Sequence, residues 1–240
     1  MPVGDRRPLA LRVYDDLRER VSSGDFPPGD RLPTEAQLVD AYGVSRVTVR
    51  EALRLLQRDG LVIARHGRGH FVAPQPLIRE PITELRSVTQ LLASLGYSVE
   101  TEVIEERSEP AGRTADLLGL ASDAVVRRVE RLRRSEGETL IYSVDVLPDD
   151  LLGSEPVEFT GSLIALLESR GVELARAQAT IHAAKLPRSI VRTSGVSPSL
   201  PWLLLEQVHF DPDERPIIWS RDFHRGDRFE FNVLRRRLHG

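Results

Sequence analysis

The sequence predicts an α+β protein in two parts, a winged helix-turn-helix followed by a mainly antiparallel sheet with helices. Three observations carry this expectation. Two helical periodicities are separated only by Gly43-Val44, a basic glycine-containing hairpin follows them, and beyond Pro74 and Pro76 the chain turns to long β-rich segments. The expected boundaries are a DNA-binding domain over 1–73, a linker over 74–80 and a sheet domain over 81–240.

Each element has a local reason. Leu11, Tyr14, Leu17 and Val21 recur at helical spacing and Gly24 supplies a left-handed stop, giving a helix from Leu9 to Ser23. Phe26-Pro27-Pro28-Gly29 breaks the chain. Thr34-Glu35-Ala36-Gln37 fits a capping box that opens a helix with Leu38 and Tyr42 inside, ending at Gly43. Ser45 caps a third helix whose inner face is Val49, Ala52, Leu53 and Leu56, stopped by Gly60. Leu61 to Arg65 and His70 to Val72 form a hairpin around His66-Gly67-Arg68-Gly69. Downstream, Leu85, Val88, Leu91, Leu92 and Leu95 mark a helix ending at Gly96, and a further helix spans Gly161 to Arg170. Strands are expected at Ser98 to Glu106, Val125 to Arg134, Thr139 to Leu147, Glu173 to Leu186, Trp202 to Asp211, Ile217 to His224 and Phe229 to Arg236. Glu136-Gly137 and Pro212-Asp213-Glu214 provide hairpin turns, which makes the sheet antiparallel. A weak repeat aligns Gly119 to Asp145 with Gly195 to Asp222, matching Glu130 to Glu206, Ser143 to Ser220 and Asp145 to Asp222. It implies two similar units about a pseudo-two-fold with a ligand groove between them.

With 240 residues, 40% hydrophobic and 29% charged, the chain has an ordinary globular composition. No apolar run approaches a membrane span, and Met1 to Pro8 lacks an apolar signal core, so the expected location is cytoplasmic, with no membrane partner. The absence of cysteine excludes disulfides, thiolate nucleophiles and cysteine-ligated zinc, and no metal site or cofactor is expected. The net charge of −3 is uneven. Residues 1–76 hold 12 Arg against 10 acids, net +2, which leaves 21 Lys plus Arg against 26 acids, net −5, for residues 77–240. Only the first part is suited to phosphates.

On the third helix Arg46 and Arg50 lie one turn apart, opposite the apolar face, with Arg54 and Arg58 continuing the row. A helix fits the major groove, and arginine near its start forks onto guanine O6 and N7, while Ser45 and Thr48 donate to phosphate or base. Such a row on an arbitrary surface helix would more often be a solvated face paired to Glu51. The two-residue turn before it and the basic hairpin after it favour DNA. Arg65, His66 and Arg68, with Gly67 allowing close approach, suit a wing against the minor groove or phosphates rather than a merely solubilising turn.

Leu32-Pro33-Thr34-Glu35, Leu38, Tyr42, Val44-Ser45-Arg46, Thr48-Val49-Arg50, Ala52-Leu53, Leu56, Gly60-Leu61 and Gly67-Arg68-Gly69-His70-Phe71-Val72 closely resemble the DNA-binding domain of GntR-family transcription regulators. The resemblance spans residues 9–73 and implies DNA contacts at Glu35, Ser45, Arg46, Thr48, Arg50, His66 and Gly67; Thr34, Arg54 and Arg68 complete the expected DNA-contact set. Ala36, basic in some relatives, implies one base contact fewer. Arg131-Leu132-Arg133, Gly137 to Pro148, Ser162-Leu163, and Ser220-Arg221 with Arg225 to Phe229 resemble the UTRA effector domain of the HutC subfamily, which shares the chorismate lyase fold. This implies a small-molecule site in the sheet.

Arg131 and Arg133 share a strand face and Ser162 begins a helix, so the three are expected to meet an anionic group, although arginines salt-bridged on an exposed sheet face fit the spacing nearly as well. Ser143, His182 and His224 complete the expected effector set. A lone histidine in a strand is more often a satisfied half-buried residue than a ligand contact. Members of the subfamily that bind amino-sugar phosphates carry acids at the positions of Ser143 and Ile218 and tyrosine at that of His224, all absent here. The expected function is a homodimeric repressor on a near-palindromic double-stranded operator, with affinity modulated by a small anionic effector. Two other classes compete with this one. A lyase-like enzyme lacks any supporting catalytic motif, so no catalytic residue is expected, and an architectural DNA binder would show no ligand-induced melting shift.

Overall fold

The computed structural model describes residues 7–65, 67–73, 77–153 and 156–234. The chain divides into two compact units, residues 1–76 with 191–200 and residues 77–190 with 201–240. The segment 191–200, expected inside the second domain, thus groups with the first.

In the first unit α1 (Leu9–Ser23) buries Val13, Leu17 and Val21 and stops at Gly24, whose φ of 84° only glycine adopts freely. The expected capping box opens α2 (Glu35–Tyr42): Gln37 N donates to Thr34 Oγ1 at 3.3 Å and Thr34 N donates to Gln37 Oε1 at 2.8 Å. Ser45 accepts from Thr48 N at the start of α3 (Arg46–Arg58). Val49, Ala52, Leu53 and Leu56 join α1, Leu32 and Leu38 in one core. β1 (Val62–Arg65) and β2 (Gly69–Val72) close the unit as an antiparallel hairpin that pairs Arg65 with Gly69.

The second unit opens with β3 (Ile78–Pro81), in a stretch expected to be linker. It pairs in parallel with β10 (Phe229–Asn232) as a separate two-stranded sheet. The expected last strand therefore stands outside the main sheet, and its residues Arg235 and Arg236 lie outside those described. The rest of the expected linker, Pro74 to Pro76, is also outside them. Along the chain next come α4 (Val88–Ser94), β4 (Glu100–Pro110), α5 (Ala115–Leu118), β5 (Val125–Ser135), β6 (Glu138–Pro148), α6 (Leu163–Glu168), β7 (Arg176–Ala184), α7 (Arg188–Ser194), whose residues from 191 on group with the first unit, β8 (Trp202–Phe210) and β9 (Pro216–Arg225). The β5–β6 turn places Glu136 at φ 51° and Gly137 at φ 81°, the paired positive angles that match hairpin twist.

The main sheet has strand order β4-β5-β6-β9-β8-β7, all neighbours antiparallel. Its register gives the internal repeat a physical form. At the centre Ser143 pairs with Asp222 and Asp145 with Ser220, so the repeat's matching residues cross over a two-fold between β6 and β9. Farther out Arg131 pairs with Ser143 as Gln207 pairs with Ser220. Two apolar clusters sit on the face of these residues: Leu163, Leu167 and Phe159 with Val129 and Leu147, and Ile78, Leu92 and Phe229 with Leu140 and Ile141. The polar site lies on this face. Ala115 and Leu118 of α5 cover the other face with Val126, Val146 and Trp219.

Candidate functional site

The first surface is α3 and the hairpin beside it. Arg46 is exposed at the first turn and, among the described residues, has no ion-pair partner. Arg50 is also exposed, and its Nε donates to both carboxylate oxygens of Glu35, at 2.9 and 3.2 Å. That contact engages the Nε edge of the guanidinium. Glu35 thus holds the Arg50 side chain. Glu51 pairs with Arg54 at 2.7 Å rather than with Arg50. The hydroxyls of Thr34 and Ser45 serve helix caps, Ser45 Oγ lying 2.9 Å from Thr48 Oγ1.

On the hairpin Gly67 and Arg68 form the exposed turn, and His66 lies outside the described residues. Arg65 stacks on Phe71 with its guanidinium carbon 4.6 Å from the ring centroid. A Cβ at Gly69 would come within 3.3 Å of Arg31 Nε. Glycine therefore lets Arg31 lie against the hairpin, adding a third arginine that sequence spacing gave no reason to select. Val47, 77% exposed at the start of α3, was likewise missed. Its only sequence signal is an apolar residue on the arginine side of the helix.

The second site is a cavity on the sheet face of the pseudo-two-fold. β5 contributes Arg131 and Arg133, β6 Asp145, β8 Gln207 and His209, and β9 Ser220, Asp222 and His224, while Glu80 comes from β3 and Arg86 from the segment before α4. Parity explains the choice, since each residue is two positions from the next on its strand. Arg131 is buried and fully engaged at its terminal nitrogens: NH2 donates to Asp145 at 2.6 Å, and NH1 to the carbonyls of Phe159 and Gly161 at 3.2 and 3.1 Å. It holds the wall rather than presenting an open fork. Arg133 differs. Its Nε donates to Thr89 Oγ1 at 3.2 Å and NH1 to Ser143 Oγ at 2.6 Å, and among the described residues no carboxylate forms an ion pair with it. Burial, then the neighbouring Arg131, push its pKa down to about 10, so it remains a buried cation at neutral pH.

Ser143 stands behind the lining, passing a hydrogen bond from Arg133 to Asp222 Oδ1 at 2.5 Å. Ser162 does not line the cavity. It caps α6, only six residues long, by accepting from Ala165 N, and Leu163 and Ile164 form the wall instead. His182 must be reassigned. It pairs with Leu204 and so faces the opposite side of the sheet, in a cleft with Glu206 and Trp219.

His209 was missed because its place depends on register. It is 5% exposed, lies 3.3 Å from Ser220 Oγ through Nε2, and has no partner at Nδ1. Among the described residues, four buried polar atoms without a hydrogen bond belong to this cavity: Glu80 Oε2, Arg131 Nε, His209 Nδ1 and His224 Nε2. Buried polar groups ordinarily find partners, so their gathering marks a place for a polar guest or ordered water. His224 Nε2 sits 3.3 Å from Glu80 Oε2, an electrostatic approach without hydrogen-bond direction.

Burial drives the His209 pKa below the ordinary value. It pulls down on His224 too, but Glu80 and Asp222 outweigh it and hold His224 above the ordinary value. The rings of Phe229 and Phe231 flank His224 edge-on. His224 thus binds its proton more tightly folded than unfolded, stabilising the protein below the unfolded pKa and losing that contribution as pH rises through the folded one. NMR titration should find His224 titrating above 6.5 and His209 below it, with Glu80→Gln bringing His224 below; equal titration of the two rings would refute this assignment.

Residues 9–72 match the profile of the bacterial regulatory proteins of the gntR family, and residues 94–230 that of the UTRA domain. The HTH-type transcriptional regulator Rv0792c of Mycobacterium tuberculosis is 31% identical over 94% of this chain and 85% of its own length. The HTH-type transcriptional repressor PhnF of Mycolicibacterium smegmatis is 31% identical over 86% of this chain and 84% of its own. The crystal structure of PhnF from Mycobacterium smegmatis superposes with a TM-score of 0.65 at 30% identity, covering 93% of this chain and 99% of that one.

Proposed function

From the premise that this chain belongs to the gntR family of bacterial regulatory proteins and carries a UTRA domain, we propose that it is a cytoplasmic repressor whose operator affinity is set by a small metabolite bearing an anionic group. The family comprises transcription regulators, not enzymes. Arg133 carries the effector reading: among the described residues this buried cation contacts only hydroxyls directly, with Asp222 and Asp145 acting on it at a distance and no carboxylate in a direct ion pair. Repression is favoured by likeness to relatives named as repressors, PhnF and the histidine utilization repressor of Pseudomonas putida.

On the DNA side Arg46 and Arg50 read base edges, Val47 packs against a thymine methyl, and Arg31, Arg65 and Arg68 hold the neighbouring backbone. The direct test is fluorescence anisotropy of the full chain on candidate operators, repeated with each compound that raises its melting temperature. If every stabilising compound leaves operator affinity unchanged, the effector reading fails.

The operator is near-palindromic because two copies of the chain bind it. β7 favours its own partner being a second copy, since it ends the sheet and is exposed along most of its length, Ile181 included. Replacing Ala179 and Ile181 by lysine should convert a dimer into a monomer in sedimentation equilibrium while leaving the melting of each copy nearly intact. A variant that stays dimeric would place the interface elsewhere.

A further inference from the structure

Taken with the anion seat at Arg133, on which the inference rests, the remaining lining charges constrain the other end of the guest. Three arginines, Arg86, Arg131 and Arg133, face three carboxylates, Glu80, Asp145 and Asp222. Arg131 is spent on Asp145 at 2.6 Å, and Arg86 pairs with Glu84 at 2.7 Å. Arg133 reaches Asp222 through Ser143. Among the described residues Glu80 is left with His224 alone, and its buried Oε2 has no hydrogen bond. A purely anionic guest would add uncompensated charge beside Glu80 and Asp222, where charge is poorly screened.

We propose that the effector is a zwitterion, its anionic group at Arg133 and its cationic nitrogen between Glu80 and Asp222. Glu80 meets His224, and His224 and Asp222 are two residues apart on one face of β9, so the two carboxylates flank one spot. Arg133 stands opposite Ile141, which stands opposite His224. Two strand spacings, roughly 10 Å between backbones, leave the side chains the span of a short molecule with opposite charges at its ends. An ammonium has three donors, and the unpartnered Glu80 Oε2 with the Asp222 carboxylate supplies matching acceptors.

The test uses the full chain and matched pairs differing in the ammonium group: β-alanine and propionate, γ-aminobutyrate and butyrate, phosphoethanolamine and ethyl phosphate. In at least one pair calorimetry should show the zwitterion binding about tenfold or more tightly, the worth of a charge-assisted hydrogen bond. Glu80→Gln should abolish that preference while preserving operator binding, which checks the fold. If that variant loses cooperative melting, Asp222→Asn carries the same expectation. Equal binding within every pair, or a preference that survives the substitution, overturns the cation seat and leaves the anion seat standing; binding by no member of any pair overturns both.

Discussion

Replacing Arg131 by alanine should lower the melting temperature of the sheet unit by roughly 10 °C. The substitution leaves Asp145, itself 5% exposed, without the guanidinium 2.6 Å away, and removes the donor to the carbonyls of Phe159 and Gly161. Losing one partner of a buried ion pair costs about 3 to 5 kcal/mol, because the survivor stays uncompensated in a poorly solvating interior. For a unit of this size each kcal/mol is worth about 2 to 4 °C. The double replacement Arg131→Met with Asp145→Leu should recover most of the loss, since an apolar pair of similar volume removes both desolvation costs. Scanning calorimetry of the three proteins decides the matter: a shift of only a degree or two in the single variant would mean that the pair is hydrated and contributes little.

Arg50→Ala should weaken operator binding by about 1 to 3 kcal/mol, roughly five- to 150-fold, with relaxed preference at one base pair in each half-site. Arg46→Ala should do the same at a neighbouring base pair. Arg50→Lys should not restore the preference, since an ammonium cannot make the two parallel hydrogen bonds of the guanidinium fork. Glu35→Ala supplies the control. It removes the contact at 2.9 Å that holds the Arg50 side chain and so should reduce affinity more mildly while keeping the preferred base. Anisotropy titrations against a set of singly substituted operators separate these outcomes, and an Arg50→Ala protein with unchanged base preference would take that residue out of base reading.

The DNA-facing unit was legible because its instructions are local. Thr34 with Gln37, Ser45 with Thr48, and glycines at 24, 43 and 60 act within a few residues, and each appears where the sequence puts it. The hairpin strands and most of the sheet strands followed from β-rich composition and turn residues for the same reason. Long-range pairing was not legible. β3 is only four residues long and pairs with Phe229–Asn232, so nothing near Ile78 announces it, and Glu80 went unnoticed with it. Arg131 and Arg133 share a face as expected, but whether that face meets a guest or a carboxylate depends on Asp145, placed by the register of β5 against β6. His182, expected in the site, and His209, not singled out from the sequence, are sorted by parity alone: β7 and β8 pair so that one points away from the cavity and the other into it.

The crossover at the centre of the sheet also bears on orientation. Extending it outward makes Arg131 the counterpart of Gln207 and Arg133 that of His209, so a scaffold made of two like halves carries unlike chemistry in each. The central Ser143, Asp145, Ser220 and Asp222 keep the duplicated pattern, while the flanking strands have diverged into a cationic wall and a neutral one. A molecule with identical ends would find only one of them suited, whichever way round it lay. The architecture therefore distinguishes head from tail, and it does so by chemical polarity laid over geometric symmetry rather than by the shape of the enclosure.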